Sequence, residues 1–184
     1  TGMNEIRVTS WNELLEQLYE GSWNEDIGRY RSSYAFRGLS DASYDLMTSL
    51  MRLGGPYGDL ERHLLRNFRK YAYQDVSVQD SIWHLLSIAA HHRLPTRLLD
   101  WTYSPFVALH FATEDLALYD RDGVVWCVNY VRTKALLPSE LRDMLNDEGA
   151  NVFTADLLKL AASTLHEFGH LAPHAFPVFF EPPS

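Results

Sequence analysis

The chain has 184 residues, of which 46% are hydrophobic and 13% aromatic, and this supplies enough apolar surface for the core of one domain. Its net charge of -8 disfavours binding to the nucleic-acid backbone, and no apolar stretch is long enough to span a membrane. A single cysteine excludes an internal disulfide and favours a reducing compartment. We therefore expect a soluble, cytoplasmic single-domain protein, residues 3–184, without membrane contact.

The first part of the chain predicts a helix followed by a strand. Ser10 and Glu13 have the spacing of a capping box, which predicts a helix through about Tyr19. The polar residues 22–31 predict a loop. Residues 34–38 then predict a strand that carries an arginine and ends in a glycine, beside which another backbone or a ligand can approach closely.

The middle of the chain predicts two helices in succession. Residues 46–53 fit a strand and a helix equally well. Apolar residues at spacings of three and four predict an amphipathic helix over 57–73. Ser77 and Asp80 have the chemistry to cap a further helix that runs to His91.

The second half of the chain alternates helical and strand patterns. In order, these are a helix over 106–119, a strand over 124–130, a short helix over 139–145, a longer helix over 155–168 and a strand over 177–181. Cys127 lies inside the first of these strands and is predicted to be buried. Together, the elements predict an α+β fold in which a small, mostly antiparallel sheet packs with several helices.

Residues 89–105 place polar chemistry between two apolar helical patterns. Ser104 and Pro105 have the order of an N-cap and a first helical residue. Arg97 and Asp100 lie three apart, so we expect their side chains to meet each other or a shared partner. Such a pair suits a planar or charged ligand, but a buried ion pair that ties down the loop explains the pattern equally well.

Several short motifs occur in a fixed order along the chain: Phe36-Arg37-Gly38, Ser49-Leu50-Met51-Arg52, Leu94-Pro95-Thr96-Arg97-Leu98-Leu99-Asp100-Trp101-Thr102, Ala108-Leu109, Phe111-Ala112 and Asp122-Gly123-Val124-Val125-Trp126. This order resembles the FRG domain family, and the resemblance is strongest over residues 34–129. The family is usually described as of unknown function, so the resemblance implies no particular reaction. It implies these ligand-binding residues: Arg37, Ser49, Arg52, His91, Thr96, Arg97, Asp100 and Thr102.

The chain departs from the pattern that this resemblance implies at three places. Ala90-His91 stands where the family usually has Gln-His, so the histidine is kept. Arg93 stands where the family often has glycine, which alters a position whose backbone geometry glycine permits. A closing segment with Arg-Ile and glutamine is not found before Ser184, and the sequence leaves open whether a C-terminal segment is missing.

Residues 166–170 match the zinc motif His-Glu-x-x-His. In that motif two histidines one helical turn apart bind the metal while the glutamate polarises water, and a third ligand is required. Pro173 and Phe176 occupy the places of the extended motif, which leaves His174 and Glu181 as nearby substitutes. We therefore expect no metal site here and keep His166 and His170 as weak candidates only.

The sequence favours an intracellular ligand-binding or catalytic cleft around the Arg-Leu-Leu-Asp loop, with a small molecule or nucleotide as ligand. One alternative is an NAD-using enzyme, because a strand ending in Arg-Gly resembles the opening strand of some ADP-ribosyltransferases; the later glutamate motif of those enzymes is not found. A zinc hydrolase and a non-enzymatic interaction module are further alternatives. No cofactor, catalytic residue or oligomeric state is indicated.

Overall fold

The computed structural model describes residues 4–72 and 81–182, which form α-helices and short paired strands. This confirms the predicted α+β class. The described residues fall into two compact units. The first unit holds those up to Ser43 together with Trp101–Asn129, and the second holds Tyr44–Asp100 and those from Tyr130 onward. A single domain stays a prediction. In the described ranges, no helix is both long enough and apolar enough to cross a bilayer.

In chain order the elements are α1 (Trp11–Tyr19), β1 (Trp23–Asn24), β2 (Arg29–Tyr30), β3 (Tyr34–Leu39), α2 (Ser49–Arg52), α3 (Tyr57–Ala72), α4 (Ile82–His91), α5 (Pro105–Thr113), β4 (Val124–Asn129), α6 (Tyr130–Thr133), α7 (Ser139–Asp147), β5 (Phe153–Thr154), α8 (Ala155–Ala161), α9 (Leu165–Gly169) and β6 (Phe180–Glu181). Two short 3₁₀ helices, Leu116–Leu118 and Lys134–Leu136, lie among them.

The strands of the described residues form three separate pairs rather than one sheet. β1 with β2 and β3 with β4 are antiparallel, whereas β5 with β6 is parallel, so the pairing is mostly antiparallel but the predicted single sheet is not formed. The longest pair runs from Tyr34 opposite Asn129 to Leu39 opposite Val124. On the side of β3 away from β4, Thr102 forms an antiparallel bridge with Phe36.

In the first unit, α5 packs directly on β3 at Gly38. A Cβ atom on Gly38 would lie 1.7 Å from the carbonyl oxygen of Ala108 and 2.8 Å from the backbone nitrogen of Ala112. The glycine of the Phe-Arg-Gly motif therefore allows a helix backbone to approach, which is one of the two roles predicted for it. Phe36 and Ala108 are buried beside this contact. Ser104 accepts a hydrogen bond from the backbone of Val107, so the predicted N-cap of α5 is confirmed.

The turn after β3 is held by the buried residue Asp41. Its carboxylate accepts hydrogen bonds from the backbone nitrogen and the hydroxyl of Ser43, at 2.8 and 2.6 Å, and from Nη1 of Arg121 at 2.5 Å. These hydrogen bonds, from Ser43 first and from Arg121 next, lower the pKa of Asp41 to about 2. The turn is therefore stabilised by an ionised carboxylate.

The second unit has the larger core, to which α3, α4, α7 and α8 contribute. Leu86, Leu141 and Leu158 have no exposed surface, and burial of such side chains stabilises the fold by roughly 2 kcal/mol each. The indole nitrogen of Trp83 donates to the carbonyl oxygen of Ala162 at 2.9 Å, which fixes α4 against the end of α8.

Three predicted element boundaries are corrected. The polar residues 22–31 contain the β1–β2 hairpin, and α5 ends at Thr113 instead of continuing to 119. The helix predicted over 155–168 is two helices, because the backbone becomes extended at Ala162 and Thr164 caps a new helix. The predicted caps Ser77 and Asp80 lie outside the described residues.

Cys127 is exposed, so the prediction of a buried cysteine is wrong. Among residues 4–72 and 81–182, the apolar strand around it, β4, pairs with β3 alone, and the second side of β3 is occupied by Thr102. Sγ of Cys127 donates to the carbonyl oxygen of Val125 at 3.8 Å. The surrounding protein raises the pKa of the thiol by removing part of its solvation, so Cys127 is a poor nucleophile at neutral pH.

Candidate functional site

The Leu-Pro-Thr-Arg loop of the second unit begins with a strained helix end. Arg93 has φ of 62°, and it is the one residue other than glycine with positive φ in the ranges 4–72 and 81–182. The backbone nitrogens of Arg93 and Leu94 donate to the carbonyl oxygens of Ala90 and Ala89, both at 2.9 Å, which is the Schellman pattern. The geometry that glycine permits is therefore kept here by an arginine.

The loop is then fastened to the start of α2. The carbonyl oxygen of buried Thr96 accepts from the backbone nitrogen of Leu50 at 3.3 Å and from the Ser49 hydroxyl at 3.5 Å. In return, the backbone nitrogen of Thr96 donates to the Ser49 hydroxyl at 3.2 Å. The Thr96 hydroxyl accepts from the backbone nitrogen of Leu98 at 3.3 Å, which shapes the turn. Ser49 and Thr96 thus fix the loop backbone.

The guanidinium of Arg97 pairs with Glu61 of α3. Glu61 is fully buried, and its Oε1 accepts from the backbone nitrogen of Arg97 at 2.9 Å. Its Oε2 lies 2.6 Å from Nε and 2.5 Å from Nη2 of Arg97, whose side chain is 34% exposed. This ion pair ties the loop to a helix, which is the structural role that the sequence left open for Arg97.

Sequence reasoning missed Glu61, because a charged residue on an amphipathic helix is ordinarily assigned to the solvent face. The sequence does contain one indication that Glu61 faces the core. Glu61 lies four residues before Leu65, and residues with this spacing share a helix face. Since Leu65 is buried, a carboxylate at that position requires a buried partner.

An open cleft of about 220 Å³ lies beside this loop. It is lined by Ser49, Ala90, Arg93, Leu94, Thr96, Leu98 and Asp100. Three of these residues, Ser49, Thr96 and Asp100, were predicted as ligand-binding residues, whereas Arg93 was noted only as a departure from the family pattern. The lining residues are one arginine, one aspartate, one serine and one threonine, together with three aliphatic residues, Ala90, Leu94 and Leu98.

The other predicted site residues do not line this cleft. Arg52 and His91 are exposed, and Arg97 binds Glu61. Thr102 belongs to the first unit, where its backbone exchanges two hydrogen bonds with Phe36 at 2.8 and 2.9 Å. Arg37 lies half-buried in β3 opposite Trp126. A role in ligand binding stays a prediction for all of these residues.

The His-Glu-x-x-His motif lies at α9, which is a separate five-residue helix. The Glu167 carboxylate accepts from the backbone nitrogen and the hydroxyl of Ser163, both at 2.8 Å, and these bonds lower the pKa of Glu167. It is therefore engaged in capping the helix and is not placed to polarise water. Nor do the described residues contain a group of three metal-ligating side chains. This donor set does not fit a catalytic zinc site.

The comparisons with known proteins agree with the motifs in the loop. Residues 32–121 match the family model of the FRG domain. The matched range begins close to the predicted start and ends eight residues before the predicted end at 129. No curated protein and no solved structure compared with the chain gave a significant match. The match includes the Phe-Arg-Gly strand and every residue that lines the cleft. Residues 32–121 of this chain therefore belong to the FRG domain family.

Proposed function

We propose that the cleft beside the Arg-Leu-Leu-Asp loop binds a small ligand that carries an anionic group and hydroxyls, such as a sugar phosphate or a nucleoside monophosphate. The observation that carries this proposal is Arg93. Arg93 lines the cleft, and its side chain makes no hydrogen bond or ion pair with the residues that the structure describes. Guanidinium donors of this kind bind phosphate and carboxylate groups in a bidentate manner.

The backbone of Arg93 supports the same proposal. A non-glycine residue in the left-handed region costs about 1 kcal/mol or more relative to glycine, and such strain is commonly found at functional sites. Glycine would make the same helix end without this cost. The arginine therefore lowers stability at a place where its side chain reaches the cleft, which is expected if the guanidinium binds a ligand.

The rest of the lining favours a hydroxylated ligand of modest size. The carboxylate of Asp100 and the hydroxyl of Ser49 can bind sugar hydroxyls, while Leu94 and Leu98 can pack against a ring. A volume of about 220 Å³ is below the range of about 300–1,000 Å³ for drug-sized ligands, so a whole dinucleotide is disfavoured.

Binding is favoured over covalent catalysis at this cleft. The hydroxyls of Ser49 and Thr96 form hydrogen bonds to backbone groups. A hydroxyl nucleophile is activated by a hydrogen bond to a histidine or a carboxylate. In the described residues, neither of these hydroxyls makes such a bond. We therefore assign the cleft a binding role that requires no covalent step.

Thermal shift and calorimetry with defined probes test this proposal. Adenosine monophosphate and ribose 5-phosphate should raise the Tm of the protein, whereas adenosine should do so less, because it has no anionic group. Arg93→Gly keeps the helix end and removes the guanidinium, and we expect it to weaken phosphate binding by about tenfold or more. Arg66→Ala, at an exposed arginine of α3, is the matched control and should bind normally.

Equal phosphate affinity of the wild-type protein and Arg93→Gly would show that Arg93 does not bind the ligand. If neither phosphate compound shifts the Tm at millimolar concentration, the ligand-binding proposal fails. The non-enzymatic interaction module would then be the better account of this domain.

A further inference from the structure

Five aromatic side chains of the first unit are joined by an unbroken series of ring contacts. Phe106 of α5 contacts both aromatic residues of α1, with its ring centroid 6.5 Å from that of Trp11 and 6.1 Å from that of Tyr19. Tyr19 contacts Tyr30 at 5.5 Å, and Tyr30 contacts Trp23 across the β1–β2 hairpin at 5.0 Å. Apart from Tyr19, which is partly buried, each of them is between 51% and 63% exposed. We call these five residues the aromatic ladder, and none of them lines the cleft of the proposed function.

The exposure of α5 is unusual for a helix of its composition. It buries its small residues, Ala108 and Ala112, against β3 and leaves the larger residues Phe106, Val107 and Phe111 exposed. Apolar side chains therefore occur on its outer face as well as on its packed face. A helix that is apolar on all sides is normally covered on all sides. Since the described residues do not cover this face, it has the character of a surface that meets another molecule.

The charge of the first unit restricts what that molecule can be. Residues 1–43 and 101–129 contain 11 acidic and 5 basic side chains, which gives a net charge of -6. The stretch that carries four members of the ladder has five acidic residues and two arginines: Glu13, Glu16, Glu20, Glu25, Asp26, Arg29 and Arg31. Such a surface repels nucleic acids, anionic lipids and the same surface of a second copy. It attracts lysine and arginine side chains, which also bind over the faces of aromatic rings.

The geometry and size of the ladder favour an extended peptide as the occupant. Neighbouring rings are inclined to each other by 31–70°, so they do not form the flat platform on which successive sugars or bases stack. Four half-exposed aromatic side chains offer about 400 Å² of surface. One partner in a stable complex of folded proteins buries about 800 Å², so the ladder suits a short segment better than a folded protein.

We propose that the aromatic ladder binds a basic, proline-rich peptide segment of another protein. Prolines of such a segment pack between aromatic side chains, and the polyproline II helix is formed before binding, which lowers the entropic cost of association. Its lysine or arginine side chains would pair with the carboxylates of the same stretch. This surface is separate from the ligand cleft, so the two proposals can fail independently.

Calorimetry and NMR titration of the full chain with a synthetic peptide of four Arg-Pro-Pro repeats test the proposal. We expect saturable binding that weakens as salt is added, with larger shifts of the indole N–H resonances of Trp11 and Trp23 than of buried Trp83. Trp23→Ala and Phe106→Ala should each weaken binding by about fivefold or more. Tyr119→Ala, which removes an exposed ring outside the ladder, should bind as the wild-type protein does. Circular dichroism establishes that each variant is folded.

Two further peptides separate the contributions of proline and charge. Four Arg-Gly-Gly repeats keep the charge without the proline rings, and four Glu-Pro-Pro repeats keep the prolines with the opposite charge, so both should bind about tenfold more weakly or less. The proposal is overturned if Arg-Gly-Gly repeats bind as tightly as Arg-Pro-Pro repeats, or if no peptide binds. It is also overturned if cellohexaose shifts the two indole resonances while the peptides do not, or if sedimentation shows a dimer that Phe106→Ala dissociates.

Discussion

The buried carboxylate of Glu61 is bonded three times by one residue, Arg97, through its backbone nitrogen, Nε and Nη2. This relationship explains how a polar loop keeps one conformation beside an open cleft. One oxygen of the carboxylate fixes the loop backbone, and the other fixes the arginine side chain that follows the Leu-Pro-Thr turn. Arg97 therefore positions the cleft without lining it.

Removal of Glu61 should destabilise the protein. Glu61→Ala leaves the Arg97 guanidinium and backbone nitrogen without their acceptor, and we expect a loss of about 2 kcal/mol in the free energy of unfolding, measured with urea. Asp59→Ala is the control, because its pair with Arg62 is exposed and should contribute less than about 1 kcal/mol. Equal effects of the two substitutions would contradict the role assigned to Glu61.

A methyl group at Gly38 should be poorly tolerated. Gly38→Ala places Cβ against the backbone of α5, and backbone cannot rotate away as a side chain can. We expect a loss of about 3 kcal/mol or more, measured by the urea midpoint. Gly58→Ala, where a Cβ meets no atom within 4 Å, should leave stability unchanged or raise it by up to about 1 kcal/mol. A mild effect at Gly38 would mean that α5 does not pack on β3 as described.

Arg93→Gly should stabilise the protein by about 1 kcal/mol, because glycine adopts positive φ without strain. Arg93→Ala retains the strain while losing the same guanidinium, so it should gain little stability. The difference between the two variants, measured by thermal unfolding, isolates the backbone contribution. If alanine stabilises as much as glycine, the strain at this helix end is absent.

The stability of the first unit should depend on pH because the carboxyl group of Asp41 must be ionised in the folded protein. Its pKa is lowered to about 2 from the ordinary value of 3.8, so folding favours the ionised form. The stabilisation is complete above pH 3.8 and is lost as pH falls through about 2. Unfolding of the wild-type protein and Asp41→Asn, compared between pH 7 and pH 2, should show a difference that is constant down to about pH 5 and shrinks below pH 4. A difference that does not change with pH would contradict the lowered pKa.

Much of the local structure could be predicted because its cause lies within a few residues. Ser10 accepts from the backbone of Glu13 and begins α1, as its spacing indicates. Ser104 and Pro105 begin α5 for the same kind of reason. Short-range hydrogen bonds of this type depend on neighbouring residues alone, so sequence spacing is sufficient to identify them.

The parts that could not be predicted depend on partners far away in sequence. Glu61 and Arg97 are 36 residues apart, and nothing in either segment alone shows that they meet. The break between α8 and α9 accompanies a hydrogen bond from Trp83 to Ala162, 79 residues away. Of the predicted residues that line the cleft, Thr96 and Asp100 share one loop, whereas Ser49 is brought to them from 47 residues away by hydrogen bonds to Thr96. Arg93 was not predicted as a site residue, because the pattern marked it only as a departure from glycine.

The most direct test of the proposed function is a ¹H–¹⁵N titration of the full chain with adenosine monophosphate. The account predicts saturable shifts that centre on Ser49 and on the backbone of residues 93–100, together with much smaller shifts in Arg93→Gly at the same ligand concentration. Shifts that do not saturate, or that centre on residues away from this loop, would contradict a ligand-binding cleft at Arg93.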